Sequence, residues 1–251
     1  MRHHGRHGPG GLPGVQAWDG RERRRSPRVP GQLAEALLGT DGGEGAELRG
    51  FVPDAPEAVV LVLHGGSESG RMAVTWWRLA VLRMLPFARA VEASTGGRAA
   101  VLRLKNRVRG WNGDRRDPVM DAQWALERIR RLLPDRPVVL VGHSMGGRVA
   151  LHLAAEPNVA GVAALAPWVE GDARRPRPDV PVLLMHGADD RMTDPRRTAV
   201  LAHRWTEEGT DVRHLVVRDE KHAMLHHARY WHHTVAQFVH DAVFGSEQHE
   251  A

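Results

Sequence analysis

Pro137-Val138-Val139-Leu140-Val141-Gly142-His143-Ser144-Met145-Gly146-Gly147 is the stretch on which the reading of this chain turns. Its first half is a short run of β-branched and aliphatic residues, the pattern of a strand buried on both faces. Its second half is G-x-S-x-G, and a helical pattern over residues 145–155 follows. Strand, sharp turn and helix form the context in which that motif carries meaning. In such a turn the serine is held in a strained conformation and side chains on either side would collide, which is the physical reason for glycine at 142 and 146. Ser144 then sits at a helix N-terminus, where free N–H groups and the positive end of the dipole face any negative charge that develops nearby. Ser144 is therefore the candidate nucleophile.

Outward from this stretch the pattern repeats. Val59 to Leu63 is a second continuous apolar run, ending in His64-Gly65-Gly66. The spacing predicts a short helix within 31–41, a glycine-rich break at 42–45 and an edge strand over 48–52. It then predicts a helix over 71–93, a strand over 99–105 and a helix over 117–133 with Pro118 in its first turn. After the strand at 137–141 come a helix at 145–155, strands at 159–165 and 180–186, a helix at 195–207, a strand at 212–217 and a last helix at 224–243. Strands alternating with helices of this length predict an α/β fold, a doubly wound and mostly parallel sheet covered on both faces. Residues 31–251 are expected to form one domain, since 251 residues suffice for a single substantial core.

Residues 1–30 read differently. They are rich in Gly, Pro, Arg and His without apolar periodicity, and are expected to be disordered. They hold seven arginines against Asp19 and Glu22, which accounts for the whole net charge of +5. The remainder of the chain is neutral, so no basic face for nucleic acid is implied, and none is expected as a partner. His3, His4 and His7 lack a defined ligand geometry, and no metal or cofactor is expected. With no cysteine, disulfides and thiol nucleophiles are excluded. No apolar run approaches the roughly 20 residues of a membrane span. The N-terminus lacks the apolar stretch of a secretory signal, so a cytoplasmic location is expected.

His64-Gly65-Gly66 together with Gly142-His143-Ser144-Met145-Gly146-Gly147 resembles the α/β-hydrolase superfamily, and the likeness extends over about residues 45–243. The resemblance implies an order of nucleophile, acid and histidine along the chain, each in a loop after a strand. In Gly187-Ala188-Asp189-Asp190-Arg191 the family's G-x-x-D spacing points to Asp190, with Asp189 as the alternative. In Arg218-Asp219-Glu220-Lys221-His222-Ala223-Met224 it points to His222, although Lys221 stands where the family often has glycine. His226, His227, His232 and His233 are competitors, expected on the last helix. The oxyanion donors it implies are the amides of Met145 and Gly66, with Ser67 as the runner-up. About fourteen residues separate the strands at 159–165 and 180–186, too few for a helical lid, so an open site is expected. Ser67, Trp111 and Trp168 fall at the sheet edge where such sites gather and are candidate substrate-lining residues. Trp76 and Trp77 are expected to pack within a helix. The implied chemistry is hydrolysis of a small-molecule carboxylic ester through an acyl-enzyme. Thioester, amide and acyl-transfer variants, and a noncatalytic binding protein on the same fold, remain alternatives, and the oligomeric state is open.

Overall fold

A computed structural model of the chain describes residues 31–41 and 45–245, together with Met1. The predicted disordered tail, with His3, His4 and His7, otherwise lies outside the described residues. In chain order the elements are α1 (Gln32–Leu37), β1 (Gly39–Thr40), β2 (Glu47–Phe51), β3 (Ala58–Leu63), α2 (Leu79–Leu82), α3 (Leu85–Ser94) and β4 (Ala99–Lys105). A 3-10 turn at Gly113–Arg115 precedes α4 (Asp117–Leu132), β5 (Val138–His143), α5 (Met145–His152) and β6 (Val159–Leu165). The chain continues through β7 (Val182–Gly187), α6 (Pro195–Glu207), β8 (Val212–Val217) and α7 (Ala228–Phe244).

The strands form one sheet in the order β1-β2-β4-β3-β5-β6-β7-β8. The pairs β1–β2 and β2–β4 are antiparallel, and every pair from β4–β3 onward is parallel. The mostly parallel, doubly wound arrangement is therefore as expected. Every residue of β3 and β5 is buried because helices cover both faces. Val59, Leu61 and Leu63 of β3 face a core shared with α1, α4, α5 and α6. Val60 and Val62 face a second core built with Phe87 and Val91 of α3 and Trp231 and Val235 of α7. Strand period and pleat thus assign alternate residues to two layers.

Two helices differ from expectation, and each for a local reason. Residues 71–78 are not helical, because the Val74 amide donates to the Arg107 carbonyl and the Met72 carbonyl accepts from the Arg109 amide, in place of i to i−4 bonds. Trp76 consequently donates from Nε1 to Glu47 at 2.8 Å, beneath the Arg49 and Arg103 guanidiniums, while Trp77 stands in solvent. Pro86, in the first turn of α3, further separates α2 from α3. The last helix begins at Ala228 rather than 224, since Met224 has a φ of 54° and the next three amides donate to the Glu220 carboxylate. His226 and His227 accordingly precede the helix, and of the four competing histidines His232 and His233 lie on it.

The turn after β5 is closely packed on both sides. Ser144 has φ 56° and ψ −116°, a left-handed conformation that costs a non-glycine residue about 1–3 kcal/mol. A Cβ on Gly142 would run into the Gly146 carbonyl, and one on Gly146 into the Leu63 carbonyl. Gly142→Ala is expected to lower stability by about 1–3 kcal/mol in urea unfolding, the range for overpacking. Gly171→Ala, where a Cβ meets nothing within 4 Å, serves as the control and should leave the midpoint in place.

Candidate active site

Parallel strands deliver their C-terminal ends to one edge, so the loops after β3, β5, β7 and β8 meet there. Residues from all four loop regions border a cavity of about 590 Å³: Gly65 and Gly66, Ser144 and Met145, Met192 and Thr193, and His222. The cavity is open above, since the connection from 166 to 181 between β6 and β7 contains no helix. Trp168 on that connection forms part of the wall.

Asp190 is the electrostatic centre of the edge. Its side chain is sealed from solvent and accepts from His222 Nδ1 at 2.8 Å, from the Thr193 hydroxyl at 2.9 Å and from His186 Nε2 at 3.1 Å. Its other oxygen accepts the Met192 and Thr193 amides at 2.8 and 3.1 Å. Burial alone would raise its pKa, but the imidazole donors and the amides outweigh burial and hold the carboxyl well below the usual carboxylate range. An ionised Asp190 fixes the proton of His222 on Nδ1. Nε2 is then left with its lone pair, on a ring that is 19% exposed and borders the cavity. Asp189 faces solvent, and its amide is engaged with the Glu220 carbonyl, so of the two aspartates Asp190 is the one whose carboxylate meets the His222 ring.

Ser144 shares the cavity wall with this ring, and among the described residues its hydroxyl has no hydrogen-bond partner. Its backbone is pinned from both sides: its amide donates to the Leu165 carbonyl at 2.9 Å, and its carbonyl accepts from Trp168 at 3.1 Å. Of the two amides considered after β3, Ser67 donates to the Arg109 carbonyl at 3.0 Å, whereas the Gly66 amide has no backbone acceptor among the described residues. Gly66 also lies so close to the Met145 side chain that a Cβ there would overlap it. Gly66, Ser144 and Met145 border the same cavity. The loop carrying Gly66 is braced by His64, whose Nδ1–H donates to the Gly65 carbonyl at 2.6 Å while Nε2 accepts the Asn106 amide at 3.1 Å. Burial pushes the His64 pKa down to about 4, which keeps the ring neutral and lets it both donate and accept.

Trp111 does not reach the cavity. It is 3% exposed and sits behind Trp168, with the Arg148 guanidinium 3.9 Å from its ring centroid and 4.3 Å from that of Trp168. Arg148 also pairs with Asp172 at 3.1 Å, so Trp111 belongs to a cation–π stack that supports the wall rather than to the wall itself.

Three supporting residues were not legible in the motifs. His186 is fully buried and bridges the Thr198 hydroxyl, at 2.8 Å, to Asp190. His143 donates from Nε2 to the His222 carbonyl at 3.0 Å, linking the serine and histidine loops, and burial drives its pKa down to about 3. Glu220, 1% exposed, accepts the amides of Lys221, Leu225, His226 and His227 and the Trp231 indole, which folds the loop that presents His222. An acidic residue a few positions before a helix start was its only sequence signal.

The comparisons with known proteins bear on the fold. The family model described as alpha/beta hydrolase fold matches residues 58–175. Monoglyceride lipase of Mus musculus is 33% identical over 139 residues, which cover 53% of this chain and 42% of that protein. Lipase LipV of Mycobacterium tuberculosis is 37% identical over 144 residues, covering 53% of this chain and 46% of that protein. The chain thus spans under half the length of either relative. Among solved structures, XC6422 of Xanthomonas campestris, described as an a/b serine hydrolase without lid, superposes with a TM-score of 0.60. It is 19% identical, over 82% of this chain and 94% of that one. No helix among the described residues is long and apolar enough to cross a membrane.

The buried carboxylates set a pH dependence. Burial raises the Glu220 pKa, but the loop amides and the Trp231 indole outweigh it, so this carboxyl also lies below its ordinary value of 4.5. A carboxyl lowered by folding binds fewer protons in the native state. Its stabilisation is present above the ordinary value and fades as pH falls through the native one. In Glu220→Gln, the fall in stability below pH 4.5 should be shallower than in the wild type, by up to about 1.4 kcal/mol per pH unit, read from urea midpoints across the acid range. Parallel acid limbs would refute the assignment.

Proposed function

Given that the chain belongs to the α/β-hydrolase superfamily, we propose that it is a serine hydrolase that cleaves a carboxylic ester or a related acyl bond. The observation that carries this reading is the Asp190–His222 pair at 2.8 Å, with the His222 ring on the cavity that Ser144 borders. Substrate entry closes the serine to the imidazole, a hydrogen bond that often tightens only in the complex. His222 takes the hydroxyl proton as Ser144 attacks the carbonyl carbon, and Asp190 stabilises the imidazolium that results. The negative charge on the carbonyl oxygen falls to the amides of Gly66 and Met145, each such donor contributing about 10²–10³ in rate. His222 then protonates the leaving alcohol. Water, deprotonated by the same ring, attacks the acyl-enzyme and restores the serine.

Support for the ester comes from two sides. The curated relatives are lipases by name, and the cavity is open enough for solvent-borne substrates. Ser67 and Trp168 on its wall are the residues we assign to substrate contact, and Trp111 is withdrawn from that role.

A fluorophosphonate probe should label the wild-type protein at Ser144 and fail to label Ser144→Ala. Hydrolysis of p-nitrophenyl esters should fall by about 10⁴-fold or more in Ser144→Ala and in His222→Ala. A folded wild-type protein that neither labels nor cleaves any ester in a chain-length series would overturn the proposal.

A further inference from the structure

Beside the main cavity lies a second recess of about 140 Å³, which shares Gly65, Gly66, Ser67 and Ala80 with it. Val74 and Val81 make part of its wall, and Arg78 and Arg109 supply its charge. No carboxylate borders it. His64, its remaining titratable group, is neutral because it accepts the Asn106 amide while burial lowers its pKa. Both arginines are partly withdrawn from water. Among the described residues neither pairs with an acid: Arg109 Nε reaches only the Ser67 hydroxyl at 3.3 Å, and the Arg78 side chain has no hydrogen-bond partner.

That condition is unlike the arginines elsewhere around the site. Arg148 pairs with Asp172, Arg107 with Asp121 and Arg197 with Glu170. In the main cavity, Arg83 is tied down by donating to the Ala223 carbonyl, and exposed Glu68 stands on the same wall as an opposite charge. Among the described residues, this recess places two arginines together with no acid in its lining, whereas the main cavity holds Glu68. Two guanidiniums lining one small recess leave it an uncompensated positive charge, which an entering anion offsets. The planar fork of each guanidinium matches the oxygens of a carboxylate or phosphate.

We infer that this recess is a specificity subsite for an anionic group, carboxylate or phosphate, carried by the substrate. The inference rests on the hydrolase reading above. It also follows from position: the recess begins at Gly66 and Ser67, so a substrate whose carbonyl oxygen lies at the Gly66 amide can reach it with a short chain bearing the charge. Arg78 and Arg109 then act in binding and in choice of substrate, not in the bond-breaking step.

The test compares p-nitrophenyl valerate with two esters of similar length, the glutarate hemiester and the 4-phosphonobutyrate ester. These separate the carboxylate from the phosphate source. At least one anionic ester should exceed valerate in kcat/KM by about 10-fold or more at low ionic strength, as expected of charge-assisted hydrogen bonds. The ratio should drop by about 10-fold in Arg78→Gln, recover in part in Arg78→Lys, and shrink in about 1 M salt, where the screening length is about 3 Å. Arg109→Gln should lower it as well, and fluorophosphonate labelling of Ser144 checks that each variant keeps its site. Valerate cleaved as well as both anionic esters, or a ratio unmoved in both glutamine variants, overturns the subsite and leaves the hydrolase reading standing. Absence of both labelling and hydrolysis in the wild type overturns the hydrolase reading, and the subsite with it.

Discussion

A carboxylate sealed from water stays ionised only if donors replace the hydration it has lost, and the side chain of Asp190 is wholly sealed. Two amides, one hydroxyl and two imidazoles meet that need. They come from the end of β7, from the loop that follows it and from the loop after β8. The solvation of one charge thereby fixes the tautomer of His222, the path of residues 190–193 and the distance between two loops. A neutral residue at 190 would leave those donors competing for a single weaker acceptor.

The loop after β8 solves a similar problem in a second place. Glu220 is buried, and the amides that satisfy it belong to the residues on either side of the turn that raises His222. The Glu220 carbonyl in turn accepts the Asp189 amide, and a Cβ on Gly187 would strike that carbonyl. The Asp190 and His222 loops are therefore laced together by backbone contacts as well as by the Asp190–His222 hydrogen bond. His143 adds a third tie, from the serine turn to the His222 carbonyl. Its position inside G-x-S-x-G makes the motif a structural clamp as well as a strained turn.

Neutral histidines do much of this bracing. His64 and His143 are driven by burial into the form that donates from one nitrogen and keeps a lone pair on the other. Only such a ring can both donate to the Gly65 carbonyl and accept the Asn106 amide, which holds the loop that presents the Gly66 N–H. A lysine could donate but not accept, and a glutamine would need a different reach.

How much of this was legible beforehand depended on range along the chain. The strand runs at 59–63 and 138–141, the glycines at 142 and 146 and the serine between them are short-range patterns, and the alternation of strands and helices followed from residue periods alone. Asp190 and His222 were legible only as candidates, because an aspartate after a strand looks the same whether it faces solvent, as Asp189 does, or meets an imidazole 32 residues away. The helix predicted over 71–93 failed where the Val74 amide and the Met72 carbonyl found partners at Arg107 and Arg109, and the last helix started late where amides turned to Glu220. Trp111 and Trp168 looked equivalent in sequence until Arg148 packed between them and drew one into the core. Sequence by itself determined the element types, the parallel sheet and the strained serine turn, because these follow from side-chain period and local sterics. Tertiary structure alone decided which aspartate meets the His222 imidazole and which residues border one cavity with Ser144, because hydrogen bonding and desolvation act between loops that are remote in the chain.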